Sequence, residues 1–363
     1  MRGTGVVFTS PLHADLEHFE LDPKSLAPRE VLVESEISLV SPGTESSYFT
    51  GVMTHAPSIY TDVPPFAGAG ATEGHEMFPA RTGYANVGVV RAVGAGVDPS
   101  MLGRRVFTMS RHASLAVCDL DFLAVELPEG LEPRQAVFAR LAGVGITALR
   151  AAGASAGDRV AVIGLGLVGN LCAQLLQLAG CDVVGFDPDR TRRELAQRCG
   201  IGSVVDPVEH DPVEWVRAWT GRGVAGGAAI TVEATGRASL AAQAIEMTAA
   251  YGSVVLLGSP RVAQSFDVTP ALARLHWLAI SMVGGLEWRY PIAAESPRAR
   301  FTIEDNYRQI LRWIADGRLV IDPLITHVLS PVDCQVAYAG IVDDPEHYVG
   351  VLFDWTSTES ETR

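Results

Sequence analysis

The sequence predicts an α/β protein in which a doubly wound parallel sheet is joined to a second, β-rich domain. First, its 363 residues exceed what one compact core usually holds. Second, the N-terminal part carries the two-residue apolar alternation of half-buried strands. Third, from about residue 151 the alternation gives way to short continuous apolar runs separated by helical segments. Such runs are typical of parallel strands that are buried on both faces.

The β-rich part is predicted from segments in which apolar and polar residues alternate. Residues 29–40 and 85–97 both show this pattern, and the second segment has glycines where turns or bulges would fall. Another strand is predicted at residues 105–108, with further strands as far as Val125. Residues 63–83 are rich in Pro, Gly and Ala, so we expect a loop over the surface there.

The parallel sheet is predicted from five apolar runs, at residues 158–164, 182–186, 228–232, 253–257 and 278–283. Residues 167–178 carry helical spacing between the first two runs. From about Trp288 the character reverts, with an amphipathic helix at residues 301–316 and strand-like alternation over residues 325–355. The predicted organisation is therefore a β-rich domain in residues 1–147, a parallel-sheet domain in residues 148–287, and a return to the first domain in residues 288–363.

The composition limits the classes of partner. Asp and Glu number 42 against 28 Lys and Arg, so the formal net charge is −14. A chain this acidic repels the phosphates of nucleic acids. The single lysine, Lys24, argues against Schiff-base chemistry and against a basic membrane patch. No apolar stretch approaches the roughly 20 residues needed to span a bilayer.

The cellular location is predicted from the cysteines and the first residues. The 5 cysteines are scattered and contain no C-x-x-C pair, which suits a reducing compartment better than a disulfide framework. The segment from Met1 to Gly5 lacks the charged and then apolar run of a signal peptide. We therefore expect a soluble, cytoplasmic protein that acts on a small molecule, without nucleic-acid or membrane partners.

A glycine-rich motif follows the first predicted parallel strand and opens the next helix; it consists of Gly164, Leu165, Gly166, Leu167, Val168 and Gly169. Gly164 would make the tight turn, Gly166 would let a pyrophosphate approach, and Gly169 would let helix and strand pack closely. The helix N-terminus offers free N–H groups and a positive dipole end to the phosphates. Since glycine is frequent here, a plain strand-to-helix turn is the alternative, but the context favours a dinucleotide site.

The choice between NAD and NADP is predicted from the end of the second parallel strand. Asp187 stands there, at the spacing of roughly 20 residues expected for a ribose-binding acid. Its carboxylate would accept hydrogen bonds from the 2′-hydroxyl and repel a 2′-phosphate, which favours NAD. Arg190 and Arg192, with Arg193, could instead hold a phosphate, or they form the solvated start of a helix with one of them stacking on the adenine.

Several strings resemble the medium-chain dehydrogenase/reductase superfamily, whose members are alcohol-dehydrogenase-like. They are FPARTGYANVGVVRAVGAGV at 78–97, AGDRVAVIG at 156–164, VEATG at 232–236, LLGS at 256–259 and DPLITH at 322–327. The order of a β-rich part, a Rossmann unit and a return segment is similar to that superfamily over nearly the whole chain. The resemblance implies a Rossmann domain and a GroES-like catalytic domain.

The resemblance also implies further cofactor-binding residues. Thr147 would lie near the nicotinamide, and Gly236 would lie near the adenosine. The other implied residues surround these points or line the nicotinamide pocket through backbone contacts; they are Ala234, Thr235, Gly258, Ser259, Val283 and Gly284.

The ligands of a catalytic zinc are not found where the resemblance expects them. Zinc-dependent members carry a Cys near the first long strand, a Gly-His-Glu motif, and a third ligand before the Rossmann domain. Here SPGTE at 41–45, GYA at 83–85 and ARLAG at 139–143 occupy these positions, and residues 105–117 lack the cysteines of a structural-zinc lobe. A catalytic zinc takes three protein ligands of thiolate, imidazole or carboxylate type, so we predict zinc-independent chemistry and no metal.

A competing metal motif lies in the predicted loop before Gly83. Gly74-His75-Glu76 has the letters of the zinc-ligand motif but stands too early in the chain. If that loop folded over the cleft, His75 and Glu76 could meet His112 and bind a metal. The alternative is a surface loop whose letters coincide.

Without a metal, a hydroxyl or an imidazole must hold the substrate oxygen and relay its proton. The candidate catalytic residues are Tyr84, Ser41, Thr44, Glu45 and His112. The resemblance places His112 facing the cleft, and the preferred arrangement has Tyr84 or His112 on the substrate oxygen. Glu45 would orient the partner or bind a second hydroxyl. A packed aromatic role for Tyr84 and a turn-capping role for Glu45 are the alternatives.

Together these features predict an NAD-dependent dehydrogenase of a secondary alcohol or ketone, with a polyhydroxylated, cyclic substrate of the sugar, cyclitol or natural-product class. SPGTE and the Gly83-Tyr84 pair also partly resemble bacteriochlorophyllide dehydrogenases. A quinone or enoyl reductase, which usually takes NADPH, is one alternative, and a non-catalytic NAD-binding protein is another. Tyr48, Phe49, Trp288 and Tyr290 are candidate pocket walls or core residues. The resemblance implies a homodimer or homotetramer through the Rossmann domain, with residues 278–283 at the edge.

Overall fold

The computed structural model describes residues 1–52, 78–120, 124–221, 223–260, 263–293 and 300–357. The chain divides into two compact units. The first comprises Met1–Arg140, Trp288–Asp316 and Ile325–Arg363, and the second comprises Leu141–Glu287 and Gly317–Leu324. The division thus falls seven positions before the predicted one (about 140 rather than 147), and part of the predicted return segment groups with the second unit.

The N-terminal part of the first unit consists mainly of strands: β1 (Arg2–Ser10), β2 (His13–Glu20), β3 (Glu30–Leu39), β4 (Ala80–Arg81), β5 (Asn86–Val93), β6 (Arg105–Thr108), β7 (Leu115–Asp119) and β8 (Ala124–Glu126). Two short helices lie among them, α1 (Pro42–Phe49) and α2 (Pro133–Ala136). The strands predicted at residues 29–40, 85–97 and 105–108 are β3, β5 and β6.

The second unit holds a parallel sheet between helices. Its helices are α3 (Ala139–Ala152, which begins in the first unit), α4 (Leu167–Leu178), α5 (Arg190–Arg198), α6 (Pro212–Thr220), α7 (Ala238–Met247) and α8 (Thr269–Trp277). Its strands are β9 (Arg159–Ile163), β10 (Asp182–Phe186), β11 (Ser203–Val205), β12 (Ala228–Glu233), β13 (Thr248–Leu256) and β14 (Ser281–Gly284). The strand order is β11-β10-β9-β12-β13-β14, and all pairs are parallel.

The central strand β9 shows why these runs lack alternation. Val160 and Val162 pack into the apolar cluster on one face of the sheet. Ala161 and Ile163 pack into the cluster on the other face. Because both faces are buried, the four positions from Val160 to Ile163 are all apolar, and only Arg159 at the start of the strand is exposed. The predicted α/β class with a doubly wound parallel sheet and a β-rich domain is confirmed.

The rest of the first unit is α9 (Ile303–Ala315), β15 (His327–Leu329), α10 (Cys334–Asp343) and β16 (Val351–Asp354). These strands complete a seven-stranded sheet in the order β15-β16-β3-β5-β6-β8, with β7 also paired to β3. A three-stranded sheet has the order β2-β1-β4.

Two predicted segments are corrected. The strand-like alternation over residues 325–355 is wrong in its middle, where α10 forms. The buried residues of α10 are Cys334, Ala337, Tyr338 and Ile341. Their spacing is that of one helical face and not the two-residue period of a strand. The strand predicted at 278–283 begins only at Ser281, because Leu278 is the C-cap of α8 and Ala279 has a φ of 50°.

Candidate functional site

The glycine-rich turn joins β9 to α4, and its glycines meet three different constraints. Gly164 has a φ of 91°, in the left-handed region that favours glycine. A Cβ on Gly169 would lie 1.9 Å from the carbonyl oxygen of Gly164, so a side chain there would separate helix and turn. A Cβ on Gly166 would meet no atom within 4 Å, so this position faces open space at the start of α4. The turn therefore has room for a pyrophosphate and fits a dinucleotide.

The other residues of the turn attach it to the neighbouring core and to the end of β10. Leu165 and Leu167 are buried, and Val168 is half-buried. The N–H of Leu165 donates to Oδ2 of Asp187 at 2.7 Å, which ties the turn to the end of β10. Asp187 thus has a structural role in addition to the predicted ribose-binding role.

Asp187 is 2% exposed, and both its oxygens accept backbone N–H groups. Besides the bond from Leu165, its Oδ1 accepts the N–H of Asp189 at 2.9 Å. A carboxylate has roughly four lone-pair sites, so it retains capacity for a ribose hydroxyl. The position of Asp187 at the carboxyl end of a parallel strand fits the predicted role.

The neighbouring arginines contact carboxylates of the chain itself. Arg190 pairs with Glu194 at 2.7 Å, one helical turn along α5. Arg192 lies 4.0 Å from Asp187, and Arg193 pairs with Asp206 at 2.8 Å. These pairs agree with the interpretation of the segment as a helix start.

The loops after β12 and β13 press against each other at the same end of the sheet. A Cβ on Gly236 would lie 2.4 Å from the carbonyl oxygen of Ser259, and a Cβ on Gly258 would lie 2.2 Å from the nitrogen of Gly236. Glu233, a residue that sequence reasoning missed, is 1% exposed and accepts the N–H of Thr235 at 2.7 Å. Its buried carboxylate sets the shape of the first loop.

The first loop also contacts the glycine-rich turn. Ala234 donates its N–H to the carbonyl of Ile163 at 2.9 Å. A Cβ on Gly164 would lie 2.6 Å from Cγ2 of Thr235. The predicted dinucleotide-binding segments thus meet at the carboxyl ends of neighbouring strands, where ligands bind in open α/β sheets.

The last three predicted cofactor residues are placed differently. Thr147 is fully buried in α3, and its hydroxyl donates to the carbonyl of Gly143 at 3.2 Å. Val283 is half-buried and Gly284 is exposed on β14, where Gly284 pairs with Leu256 of β13. The side chain of Thr147 therefore serves its own helix, whereas Val283 and Gly284 stand beside the loop after β13.

In the first unit, the candidate catalytic residues gather around the first turn of α1. Ser41 is the residue before this helix, and Glu45 is 1% exposed inside it. Oε1 of Glu45 accepts the N–H of Ser41 at 2.7 Å. Oε2 accepts the hydroxyls of Thr82 at 3.0 Å and Tyr338 at 2.6 Å. Glu45 thus caps its helix, the structural alternative considered above, and also joins three other segments.

His112 is fully buried, so the expectation that it faces the cleft is corrected. Its Nε2 lies 2.9 Å from Oε2 of Glu45, and its Nδ1 lies 2.8 Å from Oγ of Ser38. Trp355 donates its indole N–H to the same Ser38 oxygen at 2.9 Å. Gly83 packs so closely that a Cβ would lie 2.4 Å from the nitrogen of His112. The imidazole is held on both nitrogens, and one of its two contacts is with Glu45.

The charges in this cluster follow from its contacts. Burial raises the pKa of Glu45, but the charge and hydrogen bond of His112, with bonds from Ser41 and Tyr338, outweigh burial and hold that pKa below its usual value. Burial, the Glu45 charge and the bond to Glu45 raise the pKa of Tyr338 well above its usual value. Glu45 is therefore a carboxylate and Tyr338 a neutral donor, and Nε2 of His112 carries a proton because a carboxylate only accepts.

Tyr84 adds a further hydroxyl to the cluster. It is half-buried, and its hydroxyl donates to Oγ of Ser41 at 2.5 Å. The guanidinium of Arg140 lies 4.8 Å from the centre of its ring and donates to the Tyr307 hydroxyl at 2.8 Å. Thr44 is half-buried in the same helical turn as Ser41.

The structure therefore brings Ser41, Glu45, Tyr84 and His112 into one network. Of the candidate walls, Phe49 is a core residue, and Tyr48, Trp288 and Tyr290 are half-buried. Sequence reasoning missed Ser38, Thr82, Arg140, Tyr338 and Trp355. Tyr338 is 293 residues from Glu45 along the chain, and no local spacing connects them.

The donor set at the positions where the resemblance expects zinc ligands does not fit a catalytic zinc. Ser41 and Tyr84 offer neutral hydroxyls, and Arg140 offers a cation. Within the described ranges, no group of three or more His, Cys, Asp or Glu side chains could hold a metal ion. The Gly74-His75-Glu76 motif lies outside the described residues. Over the part of the chain that the structure describes, no helix has the length and apolar character of a membrane span.

Comparison with known proteins connects both units to dehydrogenases. Residues 168–295 match the family described as zinc-binding dehydrogenase. The chain is 23% identical to 2-dehydro-3-deoxy-L-galactonate 5-dehydrogenase of Pseudoalteromonas atlantica, over 89% of this chain and 91% of the relative. It is 26% identical to D-guloside 3-dehydrogenase of Shigella flexneri, over 96% of this chain and 99% of the relative. The resemblance to the medium-chain dehydrogenase/reductase superfamily is confirmed.

Solved structures share the fold over almost the whole length. A Sinorhizobium meliloti protein bound to NADP matches with a TM-score of 0.74 and 20% identity, covering 98% of this chain and 99% of that one. An Escherichia coli alcohol dehydrogenase in complex with NADH matches with a TM-score of 0.75 and 17% identity, covering 97% and 99%. Proteins of this fold thus hold either pyridine nucleotide.

Proposed function

Since the chain is an oxidoreductase of the medium-chain dehydrogenase/reductase type, we propose that it transfers a hydride between NAD(H) and a secondary alcohol or ketone without a catalytic zinc. The substrate is a polyhydroxylated, cyclic compound of the sugar, cyclitol or natural-product class. The names of two relatives that match over most of their length, a deoxygalactonate dehydrogenase and a guloside dehydrogenase, support a sugar-like substrate.

The observation that carries this proposal is the Tyr84–Ser41 hydroxyl pair. The two hydroxyls stand in sequence regions where zinc-dependent members place ligands. Because Tyr84 donates its proton to Ser41, the oxygen of Tyr84 can accept from a substrate hydroxyl, and the hydroxyl of Ser41 can donate to a substrate oxygen. The pair can therefore hold an alcohol or carbonyl oxygen and pass a proton.

The preference for NAD rests on Asp187. The cofactor, when bound, supplies the hydride acceptor at its nicotinamide ring. The Asp187 carboxylate, at the end of β10, favours a ribose 2′-hydroxyl and repels a 2′-phosphate. Arg192 lies 4.0 Å from Asp187, and it already faces this carboxylate and that of Asp189. The arrangement supports NAD(H) as the better ligand.

The proposal is tested by binding and turnover of the purified protein. Titration of tryptophan fluorescence with NADH and NADPH should give tighter binding of NADH. A panel of sugar acids, glycosides and cyclitols should include an alcohol that reduces NAD. NADPH preference together with reduction of quinones or enones, and no oxidation of any of the alcohols, would contradict the proposal. Tight NADH binding without any hydride transfer would indicate a non-catalytic protein.

We further propose that the protein forms a homodimer or homotetramer through the second unit, and that it works in the cytoplasm. The strand β14 lies at one edge of the parallel sheet, with Met282 exposed. An edge strand offers a row of backbone groups to a second copy. Light scattering at micromolar concentration should give twice or four times the chain mass, and Met282→Pro should lower it. A monomeric mass for the unchanged protein would contradict this proposal.

A further inference from the structure

Tyr338 of α10 contacts the candidate site although it lies near the other end of the chain. We propose that Tyr338 is a positioning residue, which sets the place of the Ser41–Tyr84 hydroxyl pair by orienting the Glu45 carboxylate. The expected effect on kcat rests on the proposed function. The expected effect on the distance between the Ser41 and Tyr84 oxygens does not.

Tyr338 contacts both ends of α1. At the first turn, its hydroxyl donates to Oε2 of Glu45 at 2.6 Å. At the last turn, its ring stacks on Phe49, with ring centres 5.5 Å apart and an angle of 28° between the planes. The ring also packs against Phe8 in a T-shaped arrangement, with ring centres 4.7 Å apart and an angle of 87° between the planes. The helix that follows Ser41 is thus held at one end by a hydrogen bond and at the other by a ring contact.

The two oxygens of Glu45 have different tasks. Three donors meet at Oε2: the hydroxyls of Thr82 and Tyr338, and Nε2 of His112. These donors come from separate segments, so together they fix the rotation of the carboxylate. The other oxygen, Oε1, then lies where it accepts the N–H of Ser41 at 2.7 Å.

A change in the position of the Glu45 carboxylate would be transmitted to Tyr84 through Ser41, which contacts both residues. Oγ of Ser41 accepts the Tyr84 hydroxyl at 2.5 Å, so a shift of Ser41 changes this distance directly. Glu45 is 1% exposed and Tyr338 is fully buried, so their bond is shielded from bulk solvent. Loss of the Tyr338 hydroxyl would leave Oε2 with two of its three donors and free the carboxylate to rotate.

The substitution Tyr338→Phe isolates this effect. Phenylalanine retains the ring that packs on Phe49 and Phe8, and it removes only the hydroxyl. Ile341→Val is the matched control, because Ile341 lies on the same helix and in the same apolar cluster as Tyr338. It loses one methylene group and no polar contact. Crystal structures of the unchanged protein and both variants provide the first readout.

We expect the Ser41–Tyr84 oxygen separation in Tyr338→Phe to exceed hydrogen-bond distance, roughly 3.5 Å, and to stay unchanged in Ile341→Val. An unchanged separation in Tyr338→Phe would overturn the proposal. If Tyr338→Phe does not fold, Thr82→Val replaces it, since this variant removes another donor from the same oxygen. The same two outcomes then apply.

Turnover provides the second readout. Because misplacement by about 1 Å can cost up to about 100-fold in rate, we expect kcat of Tyr338→Phe to fall about 10-fold with KM within about twofold. The control should stay within about twofold of the unchanged protein in both constants. Equal kcat for the variant and the control would overturn the positioning role. If the unchanged protein transfers no hydride, the proposed function fails, and the crystal structures alone decide the inference.

Discussion

The glycine-rich turn of the second unit and the Glu45 cluster of the first unit are built from different parts of the chain. The turn consists of six consecutive positions, 164–169, and its shape depends on backbone geometry and missing side chains. The Glu45 cluster consists of side chains from β3, α1, α10 and several loops. A site of the first kind is encoded locally, whereas a site of the second kind exists only once distant segments have packed.

We expect the largest effect on catalysis from removal of a single hydroxyl group that can contact the substrate. Tyr84→Phe removes the hydroxyl that donates to Ser41 and leaves the ring under Arg140. We expect kcat to fall by about 100-fold or more, since positioned proton transfer contributes roughly 10²–10⁴ in rate. Steady-state kinetics with NAD and the best alcohol measure this effect. A loss of less than about threefold would remove Tyr84 from the mechanism.

The buried charge of the Glu45 cluster predicts a stability effect and its pH dependence. Glu45→Gln places an amide N–H₂ against either the three donors at Oε2 or the N–H of Ser41, and it leaves His112 without its carboxylate. We expect a loss of about 3 kcal/mol at neutral pH, measured by urea unfolding.

The sign of the pH dependence follows from the lowered pKa of Glu45. The usual value is 4.5, so the contribution of Glu45 is complete above about that pH and disappears as the pH falls through the lowered pKa. The stability difference between the unchanged protein and Glu45→Gln should therefore shrink in acid. A constant difference from pH 7 to pH 3 would show that the carboxylate is not charged.

Two alanine substitutions in the glycine-rich turn distinguish an effect on stability from an effect on nucleotide binding. In Gly169→Ala the new Cβ meets the Gly164 carbonyl at 1.9 Å, so we expect a loss of about 1–3 kcal/mol in unfolding free energy. In Gly166→Ala the Cβ meets no protein atom, so stability should be retained while NADH binds more weakly. Thermal unfolding and fluorescence titration measure the two effects. The reverse pattern would mean that the open space beside Gly166 does not receive a phosphate.

The smallest expected effect concerns nucleotide choice. The substitution Asp187→Asn removes the negative charge, and the NH₂ group of the new amide faces the N–H of Leu165 or of Asp189. NADH affinity should fall about tenfold, or about 1.4 kcal/mol, and NADPH affinity should fall less, because the repelling charge is gone. The disturbance at Leu165 or Asp189 affects both nucleotides alike, so the difference between the paired titrations reports the effect of the charge. Equal losses for both would leave Asp187 with a structural role only.

The difference between the two regions also explains what the sequence could predict. Five of the six strands of the parallel sheet, the helix at residues 167–178 and the glycine constraints could be predicted, since each depends on residues within about ten positions of each other. The short strand β11 has only three residues and was not predicted. Glu45 and Tyr84 were found by their places relative to an expected metal motif. Tyr338 and Trp355 could not be found, because their partners lie hundreds of residues away. The position of His112 facing the cleft was expected from the resemblance alone. Its burial could not be predicted, because it depends on Ser38, Phe353 and the close approach of Gly83.

Hydride transfer between NAD and the substrate, with side chains of this chain in place of a catalytic zinc at the substrate oxygen, is tested most directly by measuring metal content together with turnover. Purified, tag-free protein should be analysed by plasma mass spectrometry and assayed with NAD before and after treatment with a zinc chelator. We expect unchanged turnover in protein with far less than one zinc per chain. One zinc per chain, with activity lost on chelation and restored by zinc, would contradict it and direct attention to His75 and Glu76.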